Sequence, residues 1–96
     1  MNYRILIPPF VEKTIAVLPP PLKRKIRAAL DEIQEDPRLG KPLEDKLKGL
    51  WSYRVSRYRI VYRIHHSRIE IQVLEIGPRS MIYERVIELI KRLKKS

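Results

Sequence analysis

Hydrophobic and polar positions alternate most clearly between Leu50 and Ile76. Three runs there, Trp51–Val55, Tyr58–Ile64 and Ile69–Ile76, are rich in the β-branched and aromatic residues that suit a pleated, half-buried surface. The pattern predicts three strands of one antiparallel meander. With Ser56-Arg57 as a two-residue turn, Val55 faces Tyr58, Tyr53 faces Ile60 and Trp51 faces Tyr62 on an apolar side, while Arg54 lies opposite Arg59 on the other. Taking His66-Ser67 as the second turn adds Ile64–Ile69, Tyr62–Ile71 and Ile60–Val73 to the apolar side. It also sets Arg63 across from Glu70 and Arg59 across from Leu74.

Upstream, Tyr3–Ile7 alternates weakly and stops at Pro8-Pro9, which predicts a short strand at a sheet edge. From Pro9 the period changes. Val11, Ile15 and Leu18 recur at helical spacing, and after the Pro19-Pro20-Pro21 break Leu22, Ile26, Leu30 and Ile33 form a second stripe that ends at Asp36-Pro37. Two helices joined so tightly predict an antiparallel hairpin lying on the apolar face of the sheet. Residues 37–49, punctuated by Gly40, Pro42 and Gly49, read as a charged loop. Ser80–Lys95 reads as a closing helix with Ile82, Val86, Leu89, Ile90 and Leu93 on one side, packing on the sheet, and with a Glu88–Arg92 pair at helical spacing. The expectation is one α+β domain over residues 1–96, an N-terminal helical hairpin packed on a small antiparallel sheet, in the order β-α-α-β-β-β-α.

Composition narrows the function. A chain of 96 residues supports one modest core. The lack of cysteine excludes disulfides, thiolate zinc sites and thiol catalysis and agrees with a reducing compartment. No stretch suits a membrane span and no signal-peptide pattern opens the chain, so a cytoplasmic protein without a membrane partner is expected. The net charge of +10 and pI of about 10.2 imply attraction to polyanions. Two local charge conflicts sharpen this. Arg54 and Arg59 repel across a strand pair, a cost that packing would not select and that points to an anion. In the second helix, Lys23, Arg24, Lys25 and Arg27 lie near the positive dipole end while Asp31, Glu32, Glu35 and Asp36 lie near the negative end, costing on the order of 0.3–1 kcal/mol per charge. That basic end is a candidate docking surface for a large polyanion.

Taken together, Leu47-Lys48-Gly49-Leu50-Trp51, Tyr53-Arg54-Val55, Tyr58-Arg59-Ile60-Val61-Tyr62, Ile76-Gly77-Pro78-Arg79 and Tyr83 resemble the RelE/ParE superfamily of bacterial and archaeal toxins. The resemblance covers nearly all of the chain. It implies a RelE-like fold and, in the ribonuclease branch, cleavage of messenger RNA in the ribosomal decoding site without metal or cofactor. There the ribose 2′-hydroxyl attacks the adjacent phosphate and leaves a 2′,3′-cyclic phosphate. Carried over by position, Arg54, Arg59 and Arg79 match the family's basic residues, and Tyr83 matches its catalytic tyrosine, a base or a nucleotide-positioning group. Guanidinium groups suit bidentate contact with phosphate oxygens. Lys23, Arg24, Lys25, Arg27 and the turn residue Arg57 are the expected RNA- and ribosome-facing cations.

Ser52 departs from the pattern, because the ribonuclease branch has a lysine there. His65 and His66 fall at the far turn and do not make a metal site. Glu75 falls by parity on the apolar side beside Tyr58, and Trp51 and Tyr58 are assigned to packing rather than to base stacking. The implied partners are an acidic RelB-like antitoxin, which would cover the basic face or displace the last helix, and the ribosome with its message. The toxin alone is expected to be a monomer. Two other readings share this fold: a ParE-like gyrase poison, and an inactive antitoxin-binding module.

Overall fold

A computed structural model describes residues 2–95. The elements run β1 (Arg4–Leu6), α1 (Pro9–Ala16), α2 (Pro20–Glu35), β2 (Lys41–Pro42), β3 (Trp51–Val55), β4 (Tyr58–His65), β5 (Glu70–Pro78) and α3 (Arg79–Lys95), with single 3-10 turns at Pro37–Leu39, Asp45–Leu47 and His66–Arg68. Both N-terminal helices open on a proline, where a missing N–H costs nothing and φ is already helical. Helix α2 ends at Glu35, where the residue before Pro37 turns extended.

The first hairpin has the predicted register, from Trp51 opposite Tyr62 through Arg54 opposite Arg59 to Val55 opposite Tyr58. Its turn lacks glycine. Ser56 instead takes the left-handed conformation, φ 58°, while Arg57 does not, the sign pattern of a type II′ turn.

The second hairpin corrects the expected pairing. The turn is not His66-Ser67 alone but a 3-10 turn closed by Ile69 at φ 51°, so the strand restarts only at Glu70. Ile64 therefore pairs with Ile71 and Tyr62 with Val73. A bulge then leaves Leu74 unpaired, so that Val61 meets Glu75, Ile60 meets Ile76 and Arg59 meets Gly77. Arg63 faces Gln72 rather than Glu70. Glu70 is buried opposite His65, where Arg4 and Arg68 neutralise it. Glu75 is likewise moved: opposite Val61, it is no longer beside Tyr58 on the hairpin side.

The sheet is five-stranded, in the order β1-β5-β4-β3-β2. Strand β1 sits at an edge as expected, but it runs parallel to β5, with Arg4–Leu6 against Glu70–Gln72, so the sheet is mixed rather than wholly antiparallel. The other edge, β2, lies within the stretch expected to be loop. Each face has its own core. Val11, Ile15, Ile26, Leu30 and Ile33 of the helical hairpin pack on Ile60, Tyr62, Ile71, Val73 and Ile76. On the second face, Ile82 and Val86 of α3 cover Val61 and Leu74, with Leu47 and Leu50 alongside. That face, expected to be basic, is thus half apolar: α3 roofs one part and leaves the arginine-bearing part open. Among the described residues, no helix is long and apolar enough to cross a membrane.

Candidate active site

Strand alternation places Ser52, Arg54 and Arg59 on the α3 side of the sheet, opposite the helical hairpin. Helix α3 starts directly after β5. Arg79 is its first residue, anchored by a hydrogen bond from its N–H to the Arg57 carbonyl (2.9 Å). One turn later Tyr83 leans to the same side, and its hydroxyl lies 3.1 Å from Ser52 Oγ. Ser52 is only 6% exposed and Tyr83 half-buried, so the contact is shielded on the sheet side and open to the groove on the other.

These residues line one open groove of about 490 Å³: Arg54, Arg59, Arg79, Tyr83, Ser52 and Tyr53, closed on the far side by the lip Leu39–Leu43. The lining contains four cations, counting Lys41, and no carboxylate. An adjoining hollow shares Arg54, Arg59 and Arg79 and adds Arg57 and Ser80, extending the positive track past the β3–β4 turn. A larger hollow of about 740 Å³ lies between α1 and α3, but Glu75, Glu84 and Glu88 offset Arg85 and Arg92 there. The smaller groove combines unbalanced positive charge with a hydroxyl held in place, which is why we take it as the site. Its donors suit a phosphodiester: planar guanidinium groups for nonbridging oxygens, and a tyrosine hydroxyl that accepts or donates a proton.

The lip is held from beneath. Tyr62, fully buried, donates its hydroxyl to the Pro37 carbonyl (2.6 Å), and burial pushes its pKa up to about 12. Gly40 packs so closely that a Cβ there would lie 2.4 Å from the Tyr62 hydroxyl and 2.8 Å from the Ser52 carbonyl oxygen. Tyr53, at the groove edge, donates to Glu32 of α2 (2.9 Å), which raises its pKa.

Of the nine candidate cations and catalytic groups named from sequence, Arg54, Arg59, Arg79 and Tyr83 meet in the groove and Arg57 lines the adjoining hollow. Lys23, Arg24, Lys25 and Arg27 do not join them, because α2 packs on the other sheet face. Two of these are engaged inside the hairpin: Lys23 Nζ donates to the Ala16 carbonyl (2.8 Å), and Arg27 pairs with Glu12 (3.0 Å). Among the described residues, no cluster of histidine and acidic side chains suits a metal ion. Sequence reasoning missed Lys41 and the lip, since a two-residue strand carries no readable period.

The family model described as "ParE toxin of type II toxin-antitoxin system, parDE" matches residues 12–83. The chain belongs to the RelE/ParE toxin family. It is 31% identical to the toxin RelG of Mycobacterium tuberculosis over 87 residues, covering 88% of this chain and all of RelG. It is 40% identical to the toxin RelE of the same organism over 68 residues, 65% of this chain and 70% of that one. Among solved structures, a RelBE toxin–antitoxin complex from M. tuberculosis matches with a TM-score of 0.73 at 27% identity, over 82% of this chain and all of the other. A mutant of the E. coli RelE toxin in the free state matches in fold with a TM-score of 0.75 at 19% identity, over 96% and 98% of the two chains. The groove, with α3 roofing half of a twisted sheet, therefore sits on a RelE-type fold.

Proposed function

We propose that this toxin is a ribosome-dependent endoribonuclease that cuts messenger RNA and so arrests translation. The observation that carries the reading is the meeting of Arg54, Arg59 and Arg79 with Tyr83 in a groove that has no acidic lining residue. A 2′-hydroxyl attacking the adjacent phosphate builds negative charge on its nonbridging oxygens, and prepositioned guanidinium groups stabilise such charge more in the transition state than in the ground state. Tyr83, held by Ser52, takes the 2′-hydroxyl proton or positions the nucleotide. As the 2′-oxygen bonds to phosphorus the P–O5′ bond breaks, the 5′-oxygen leaves with a proton from solvent, and the upstream fragment ends in a 2′,3′-cyclic phosphate. The partners proposed with this activity are the ribosome and its message in the cytoplasm and, as regulator, an acidic RelB-like antitoxin. The relatives solved as RelBE complexes support that choice of regulator.

The test is induced expression followed by mapping of message ends. Wild type should cut only messages engaged by ribosomes. Arg59→Ala, Arg79→Ala and Tyr83→Phe should each reduce cleavage about a hundredfold or more without unfolding the domain. A second reading, a gyrase poison, is favoured by one observation, the match to a ParE family model. Intact messages together with blocked supercoiling and DNA damage would establish it instead.

A further inference from the structure

The lip Leu39–Leu43 forms one wall of the groove, and its single charged side chain is Lys41. Lys41 is paired with Ser52 across the β2–β3 ladder. Directly opposed residues project to the same side of a sheet. Ser52 Oγ meets the Tyr83 hydroxyl on the groove side, so Lys41 rises on that side too, across from Arg54, Arg59 and Arg79. Its side chain is exposed, so folding does not require it. The backbone beneath it is nevertheless fixed at several points. Tyr62 holds the Pro37 carbonyl, Gly40 lies too close to Tyr62 for any Cβ, and the Leu43 N–H donates to the Leu50 carbonyl (2.8 Å). A buried tyrosine hydroxyl that bonds Pro37 just before the lip and packs against Gly40 within it sets the height of the lip, and with it the place of Lys41.

We propose that Lys41 is a phosphate-binding residue of this groove, gripping the backbone of a single-stranded nucleic acid from the side opposite the arginines. The inference rests on the reading that the groove receives an RNA strand. A strand lying there is held between a flexible ammonium on the lip and rigid guanidinium forks on the sheet, which suits a track of successive phosphates rather than one isolated anion. Tyr62 is then a positioning residue that acts through Lys41.

The experiment measures binding of a short single-stranded RNA, made uncleavable by 2′-O-methyl riboses, by fluorescence anisotropy across a salt series. Each phosphate contact on a single strand contributes about 0.7 to the slope of log affinity against log salt. Lys41→Gln should weaken binding several-fold and flatten the slope by about that amount at unchanged melting temperature, whereas Lys41→Arg should retain both. Lys13→Gln, an exposed lysine on α1, is the control and should leave the slope as in wild type. A Lys41→Gln slope equal to that of wild type, or salt-independent binding by wild type, overturns the proposal. Uncut native messages combined with a Lys41-dependent slope would remove the endonuclease reading and leave Lys41 as a strand-binding residue. Cleavage with no Lys41 effect would do the reverse.

Discussion

Ser52 departs from a family pattern and yet meets the Tyr83 hydroxyl in the groove. It cannot supply the charge of a lysine, but it orients the Tyr83 hydroxyl from a position with 6% exposure. Ser52→Ala should therefore cost about 1 kcal/mol of stability, the usual worth of a partly shielded hydrogen bond, and should slow message cleavage with the fold intact. A thermal melt run beside the cleavage assay checks both. Gly40 is constrained by space and not by conformation, since its φ of −75° is open to any residue. Gly40→Ala should destabilise by about 1–3 kcal/mol through overpacking against Tyr62 and the Ser52 backbone, read as a lower urea midpoint. Ile69 is the opposite case. A β-branched residue at φ 51°, 41% exposed, loses about 1 kcal/mol or more to the left-handed conformation. Ile69→Asn should raise stability by about that much, and an unchanged melting temperature would show the turn relaxing at no cost.

At the level of elements, β4 does two jobs on its two faces. Ile60, Tyr62 and Ile64 belong to the helical-hairpin core, and Val61 anchors α3. The bulge at Leu74 puts Ile76, rather than Glu75, beside Val73 on the hairpin side, while Leu74 packs under α3. Tyr62 also ties this central strand to the lip, which makes the lip sensitive to alkali. Its pKa is raised from 10.0 to about 12 by burial, so the folded state holds the proton more tightly than the unfolded chain. The contribution is complete below pH 10 and declines as the pH rises from 10 towards 12. Stability should fall through that window, and Tyr62→Phe should remove the part of the fall due to this group. Equilibrium unfolding at several alkaline pH values measures it.

Across the whole molecule, positive charge is unevenly committed. The groove cations face no carboxylate, whereas Lys23 and Arg27 are tied to α1. The charge conflict along α2 is thereby partly relieved by its neighbour, which alters what mutation should do. Lys23→Gln and Arg27→Gln should each cost up to about 1 kcal/mol of stability, the first by losing a hydrogen bond to the Ala16 carbonyl and the second an exposed ion pair. Arg24→Gln and Lys25→Gln, both exposed, should leave stability within about 0.5 kcal/mol and weaken ribosome co-sedimentation at low salt. Co-sedimentation unaffected by the last two would confine docking to the groove face.

Local signals in the sequence were enough to determine the two proline-started helices, the edge strand, the closing helix and the whole register of the β3–β4 hairpin. Each depends on a period or a breaker that acts within a few residues: the Ile26, Leu30, Ile33 stripe, the prolines, the alternation from Trp51 to Tyr62. The same register singled out Arg54 and Arg59, and the family pattern added Arg79 and Tyr83, residues that the fold brings into one groove. Tertiary structure decided what those signals do not encode. The bulge at Leu74 shifts the strand by one residue, so a strict two-residue period misplaces Glu75, and the longer turn closed by Ile69 moves Glu70 from Arg63 to His65. The parallel pairing of β1, the second core under α3 and the lip around Lys41 all join segments far apart in sequence. Their free energy comes from burial and contact between those segments, and no local pattern in either partner records it.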